Sequence, residues 1–114
     1  MKPAIIILTH NEEENIQKCL ASIKRLSDEV IIIDSFSDDN TIKICKDYRC
    51  KIFQNEFKNQ AQQFNWGLEN VKINSSWILR LDADEQIPKK LLNEVLNLEP
   101  HHSINGYYLN RRMY

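Results

Sequence analysis

The chain has 114 residues, 42% hydrophobic and 27% charged, with 15 basic against 16 acidic side chains and a formal net charge of −1. That size fits one α/β domain with a core of its own. The even charge balance, with no basic stripe interleaved with aromatics, argues against nucleic acid or an anionic membrane surface as a partner. Only two glycines are present, Gly67 and Gly106, so neither a G-x-G-x-x-G nor a G-x-x-x-x-G-K-[ST] phosphate loop can form, and phosphate must be held some other way. Cys19, Cys45 and Cys50 form no C-x-x-C pair, and their odd number fits reduced thiols in core or half-buried positions. The longest apolar runs, residues 4–8 and 30–33, fall far short of the about 20 residues of a membrane span. Lys2 and Pro3 ahead of a strand-length run do not read as a secretory leader, so the expected location is the cytoplasm.

In chain order, A-I-I-I-L at 4–8 is apolar on both faces, as a buried parallel strand should be. Asn11 with Glu14 three positions on reads as a capping box, and Ile16, Leu20, Ile23 and Leu26 then give one apolar helical face. A second buried strand, V-I-I-I at 30–33, ends at Asp34. The polar residues 35–40 suit a turn and a helix cap, with Asp38 and Asp39 as capping or solvated residues, and a short helix follows through Ile42, Cys45 and Tyr48. Residues 51–54 predict a third strand, and Ala61, Phe64 and Leu68 a helix after it. W-I-L-R-L at 77–81 predicts a fourth strand closed by D-A-D-E. Pro88 in a first turn, with Leu91, Leu92, Val95 and Leu96 as a core face, predicts another helix, and residues 106–112 a fifth strand. The order of elements is that of βαβ units around a mostly parallel sheet. The strand-like, basic end at 109–114 suggests truncation and an exposed edge through which copies of the chain could form a homo-oligomer.

In such a sheet, ligands bind outside the carboxyl ends of the strands. Three polar clusters fall there: Thr9-His10-Asn11-Glu12, Asp34-Ser35 and Asp82-Ala83-Asp84-Glu85. Asp82 and Asp84 lie two apart, so continued strand geometry points both carboxylates to one side and Ala83 to the other. Paired hard oxygen ligands suit Mg²⁺ or Mn²⁺, which is commonly completed by substrate phosphates and water and needs no full protein cage. Asp34 can accept a hydrogen bond from a ribose hydroxyl or from the imide N–H of uracil. His101 and His102 read as a solvated loop pair without partners at zinc spacing. At most one of Arg111 and Arg112 can face a ligand from a strand. Trp66 and Trp77 read as core anchors.

Three segments together, T-H-N-E-E-E-N-I from Thr9, E-V-I-I-I-D-S-F-S-D-D-N-T from Glu29 and W-I-L-R-L-D-A-D-E from Trp77, resemble the N-terminal half of the family 2 inverting glycosyltransferases. The nearest subgroup is the bacterial enzymes of lipopolysaccharide-core or other surface-polysaccharide synthesis. The resemblance runs from about Ala4 to the last residue. It implies a GT-A-type, Rossmann-like αβα sandwich, with residues 1–114 as the nucleotide-sugar-binding (donor) part and the acceptor-binding half absent. It assigns Thr9, Asn11 and Glu12 to the nucleoside pocket, Asp34 to the base with Ser35 beside it as nucleotide-binding, Asp82 to the ribose and metal, and Asp84 to the metal. Gln63-Phe64-Asn65-Trp66-Gly67-Leu68 resembles a family segment of the type Q-R-N-x-A-L, which makes Asn65 a nucleotide-binding candidate and leaves Phe64 where arginine is common.

The implied reaction is inverting displacement at the anomeric carbon of a nucleotide-diphosphate sugar, a UDP-sugar foremost, by a hydroxyl of a saccharide or lipid-linked acceptor. The metal acts as Lewis acid. The catalytic base is expected beyond Tyr114, and Glu85 does not match its position. The full-length enzyme would be cytoplasmic or peripheral at the inner face of the membrane. The competing reading is a non-enzymatic or receiver-like α/β module that binds Mg²⁺ at acidic strand ends, with Asp34 as its phosphoacceptor. It lacks a convincing lysine partner.

Overall fold

The structure is a computed structural model that describes residues 2–84 and the strand at 108–110. The expected helix after Pro88, and Glu85, His101, His102, Arg111 and Arg112, lie outside the described residues.

The elements are β1 (Ala4–Thr9), α1 (Ile16–Ile23), β2 (Glu29–Asp34), α2 (Thr41–Asp47), β3 (Lys51–Gln54), α3 (Gln60–Asn70), β4 (Trp77–Asp82) and β5 (Tyr108–Asn110). They form one sheet in the order β3-β2-β1-β4-β5. The first four strands are parallel, and β5 lies antiparallel on β4 within the stretch expected to be a strand. The fold class is therefore the expected α/β, Rossmann-like one with a mostly parallel sheet.

Alternation along the strands sends side chains to two cores. Ile5, Ile7, Ile32, Leu79 and Leu81 pack with Ile16, Cys19, Leu20, Ile23 and Leu26 of the α1 region and with Cys45 of α2. On the other face Ala4, Ile6, Ile31, Ile33 and Ile78 pack with Phe64 of α3 and with Val71 and Ile73 beyond it. Strands covered on both faces carry no polar alternation, which is why β1 and β2 read as unbroken β-branched runs. Trp77 is buried and Trp66 packs half-buried at the edge of the second core. Cys19 and Cys45 are buried and Cys50 half-buried, all three as free thiols.

Two expectations change. α1 starts at Ile16, not directly after Asn11, because Asn11 takes a left-handed conformation (φ 52°) and spends its side chain across the neighbouring loop. The described arrangement therefore contains no Asn11–Glu14 capping box. In α3 the sheet-facing side is Gln63, Phe64 and Gly67, while Ala61 is exposed.

Candidate functional site

β1, β2 and β3 step outward in sequence order on one side, whereas β4 lies on the far side of β1. The carboxyl ends of β1 and β4 thus flank the point where the strand order reverses, which is where an open α/β sheet leaves a crevice. A cavity of about 280 Å³ opens there, on the α3 side. Thr9, His10 and Glu12 line it from β1, Asp82 and Asp84 from β4, and Phe57, Gln60 and Gln63 from the start of α3.

The β4 strand ends at Asp82 and the chain turns at 83–84, where Asp82 and Asp84 are exposed and Ala83 between them is buried. Both residues border the cavity, and with Glu12 they make its described lining acidic, since none of the described lining residues is Lys or Arg. Among the described residues no three or more His, Cys, Asp or Glu side chains gather as a metal cage.

Asp34 is placed differently from the expected base contact. Its parity matches Ile32, so it turns to the α1–α2 face; it is fully buried and is not among the described residues that line the cavity. The carboxylate accepts from Thr9 Oγ1 (2.6 Å), Ser37 Oγ (2.6 Å) and the Ser37 N–H (2.8 Å). A carboxylate so enclosed organises the two loops around it and offers no open face to a phosphodonor, which removes the basis of the receiver-like reading.

From that anchor the β1–α1 and β2–α2 loops are stitched together by backbone donors. The Asn11 N–H donates to Ser37 Oγ, the Asp38 N–H to Asn11 Oδ1, the Glu12 N–H to Thr41 Oγ1 and the Glu13 N–H to Asp39. Partial burial pushes the Asp39 carboxyl up. Hydrogen bonds from the Thr41 hydroxyl and N–H and from the Glu13 N–H outweigh it, holding the group below its ordinary range. Asn11 is therefore an exposed loop clamp beside the cavity and does not line it.

Ser35 does not line the cavity either, but it braces two residues that do. Its carbonyl accepts from His10 Nδ1 (2.6 Å), and its hydroxyl oxygen accepts from the Phe57 N–H (3.2 Å). Asn65 is exposed on α3 and away from the lining. Gln63, two positions earlier, faces the cavity with its amide held in both directions by Asn55. The α3 terminus that carries Gln60 and Gln63 is fixed by Asn59, whose side chain accepts from the Gln62 N–H (2.8 Å).

Phe57, Gln60 and Gln63 were not among the sequence candidates. The i, i+3 spacing of Gln60 and Gln63, which puts two amides on one face at a helix start, was the signal available. A larger hollow of about 620 Å³ lies at the opposite, amino ends of the strands. There Glu29 accepts from the Asn74 and Ser75 N–H groups and pairs with Lys51, so its polar lining ties the loops together.

A mostly parallel sheet with a crevice at its switch point is an open α/β fold, and its likeness to solved glycosyltransferase structures makes it one of the GT-A type. The chain belongs to the family described as Glycosyl transferase family 2, whose model matches residues 4–113. It is 31% identical over 106 residues to an uncharacterised glycosyltransferase of Rickettsia typhi, a match covering 93% of this chain and 36% of that protein. It is 34% identical over 88 residues to the glycosyltransferase SunS of Bacillus subtilis, covering 74% of this chain and 20% of that protein. Among solved structures, TarS of S. aureus superposes with a TM-score of 0.70 at 28% identity over 84% of this chain and 31% of that one. Glucosyl-3-phosphoglycerate synthase of Mycobacterium tuberculosis, solved with Mn²⁺, UDP and glucosyl-3-phosphoglycerate, shares the fold with a TM-score of 0.63 at 17% identity, over 75% of this chain and 35% of that one. The chain thus spans about a third of the length of these Rickettsia and structural relatives. No helix among the described residues is long and apolar enough to cross a membrane.

Proposed function

We propose that residues 1–114 are the donor-binding part of an inverting glycosyltransferase that takes a nucleotide-diphosphate sugar, a UDP-sugar foremost, together with Mg²⁺ or Mn²⁺. The observation that carries this reading is the charge of the crevice: among the described residues, Glu12, Asp82 and Asp84 line it without a lysine or arginine. A sugar diphosphate is itself anionic, and beside these carboxylates it needs a cation between. Asp82 and Asp84, both exposed and both lining the cavity, offer the one or two hard carboxylate ligands such an ion takes when phosphates and water complete its shell. Bound there, the ion supplies Lewis-acid stabilisation of the charge that collects on the departing diphosphate.

The chain's own residues bind and orient. Thr9, His10, Glu12, Phe57, Gln60 and Gln63 line the crevice, and Asn11, Asp34 and Ser35 hold its β1 side in place through the loop stitching. Asn65 is left to the exposed surface of α3. The acceptor is a hydroxyl of a saccharide or lipid-linked saccharide in lipopolysaccharide or surface-polysaccharide synthesis, and the base that takes its proton belongs to the acceptor half, beyond Tyr114. The full-length enzyme works in the cytoplasm or at the inner face of the membrane. Support for a uridine nucleotide comes from the Mn²⁺ and UDP in the mycobacterial synthase of the same fold.

Calorimetric titration of the chain with UDP, GDP and their sugars, with Mn²⁺, with Mg²⁺ and with chelator, tests the reading. Binding of UDP that needs the divalent ion and is lost in Asp84→Asn is the expected result. Folded protein that binds no nucleotide with either ion, or an Asp84→Asn variant that binds as the parent does, would overturn it.

A further inference from the structure

The crevice wall contains a polar group whose orientation is set from outside the crevice. Arg80 shares a strand face with Asp82, two residues on, and leans toward α3. Its guanidinium sits over the Phe64 ring, 5.6 Å from the centroid, and donates to Gln60 Oε1 at 2.9 Å. Arginine has donors and no acceptor, so the atom of the Gln60 amide that faces it is the carbonyl oxygen. The Gln60 amide nitrogen, with its two N–H donors, is the end that Arg80 does not engage, at a residue that lines the cavity. Gln63 is less available for this part, because it is buried and Asn55 engages its amide oxygen and one of its two N–H donors. The other lining side chains that project charge, Glu12, Asp82 and Asp84, are acceptors when ionised.

We infer that Gln60 is a donor-nucleotide contact, presenting its amide N–H groups to an oxygen acceptor of the bound nucleotide, and that Arg80 is the positioning residue that fixes this amide. The inference rests on the donor-site reading above and adds to it two residues and a hydrogen-bonding polarity. Beside the carboxylates of the described lining, a neutral donor can hold a carbonyl or phosphate oxygen without competing with the cation for them. The Phe64 ring is the shelf for the guanidinium, which makes a cation–π contact on one side and a charge-assisted hydrogen bond on the other.

Three substitutions separate the roles. Gln60→Glu keeps an acceptor for Arg80 and removes the donors. Gln60→Met removes the donors without adding charge. Arg80→Met leaves the Gln60 amide in place but free to turn. UDP and uridine are titrated calorimetrically into the Mn²⁺-loaded chain. We expect UDP affinity to fall about tenfold in both Gln60 variants, the loss of one hydrogen bond to a ligand, and by a smaller factor in Arg80→Met. The Gln60→Met/Arg80→Met double variant should bind no worse than Gln60→Met alone, since a residue acting only through Gln60 has nothing left to act on. A parallel fall for uridine assigns the acceptor to the base or ribose, and a fall for UDP alone assigns it to the phosphates; either supports the inference. A Gln60→Met variant that binds UDP within twofold of the parent, or effects that multiply in the double variant, would overturn it while leaving the donor-site reading intact. A parent chain that binds no UDP overturns both.

Discussion

Asp34 shows how far one residue's role depends on the face it takes. As a carboxylate ending a buried strand it looks like a ligand for a nucleoside, but strand parity turns it inward, where three donors from Thr9 and Ser37 surround it. Removing it in Asp34→Ala strands those donors in a buried site and should lower stability by about 3 kcal/mol. Urea denaturation of the chain measures this, and a loss below about 1 kcal/mol would contradict the anchoring role. The cysteines differ in the same local way. The Cys45 thiol is pushed up by its hydrogen bond to Cys50 and by burial, while that same hydrogen bond draws the Cys50 thiol down. With Cys50 also the half-buried one, iodoacetamide should label it first, and peptide mass mapping should find Cys19 and Cys45 protected until the chain unfolds.

Among the elements, those bounded by strong local signals were legible in the sequence. Residues 51–54 form β3 with the expected bounds, and Ile16, Leu20, Ile23 and Leu26 all reach the core. The start of α1 was not legible, because Asn11 prefers a partner 27 residues away, the Asp38 N–H, to a local cap. The crevice wall was illegible for a related reason. Gln60 and Gln63 look like ordinary helix surface until the sheet order brings α3 beside the ends of β1 and β4. The stitching between the first two loops has a pH signature. Asp39 sits below its ordinary 3.8 in the folded chain, so its stabilisation is present above that value and is lost as pH falls through the folded-state pKa. Acid titrations followed by circular dichroism should show a shallower stability loss below about pH 4 in Asp39→Asn than in the parent. Helix α3 depends on close approach: a Cβ on Gly67 would lie 3.2 Å from Ile33 Cδ1 and 3.3 Å from Ile33 Cγ1. Gly67→Leu should therefore overpack the α3–sheet contact and cost about 2 kcal/mol in a urea melt, despite leucine's better helix propensity.

For the molecule as a whole, the donor-site function proposed above, with no glycine loop and with acidic residues along the described crevice, predicts that nucleotide and metal bind as one event. A carboxylate pair gains little from UDP alone, because like charges meet, and an exposed pair holds a divalent ion weakly by itself. The two ligands together satisfy each other, and this coupling must be reciprocal: UDP tightens the metal by the factor by which the metal tightens UDP. Because bound ligand stabilises only the folded chain, the coupling is visible in thermal unfolding. UDP with chelator, or Mn²⁺ alone, should move the midpoint little. Both together, at a hundredfold above the dissociation constant of the complex, should raise it on the order of 10 °C. Asp84→Asn should remove the excess over the separate shifts while keeping the unliganded midpoint near the parent's, since Asp84 is exposed and outside the core. Equal shifts by UDP with and without the ion would mean that the crevice holds a diphosphate through its own donors, and the carboxylates at 82 and 84 would then need another purpose.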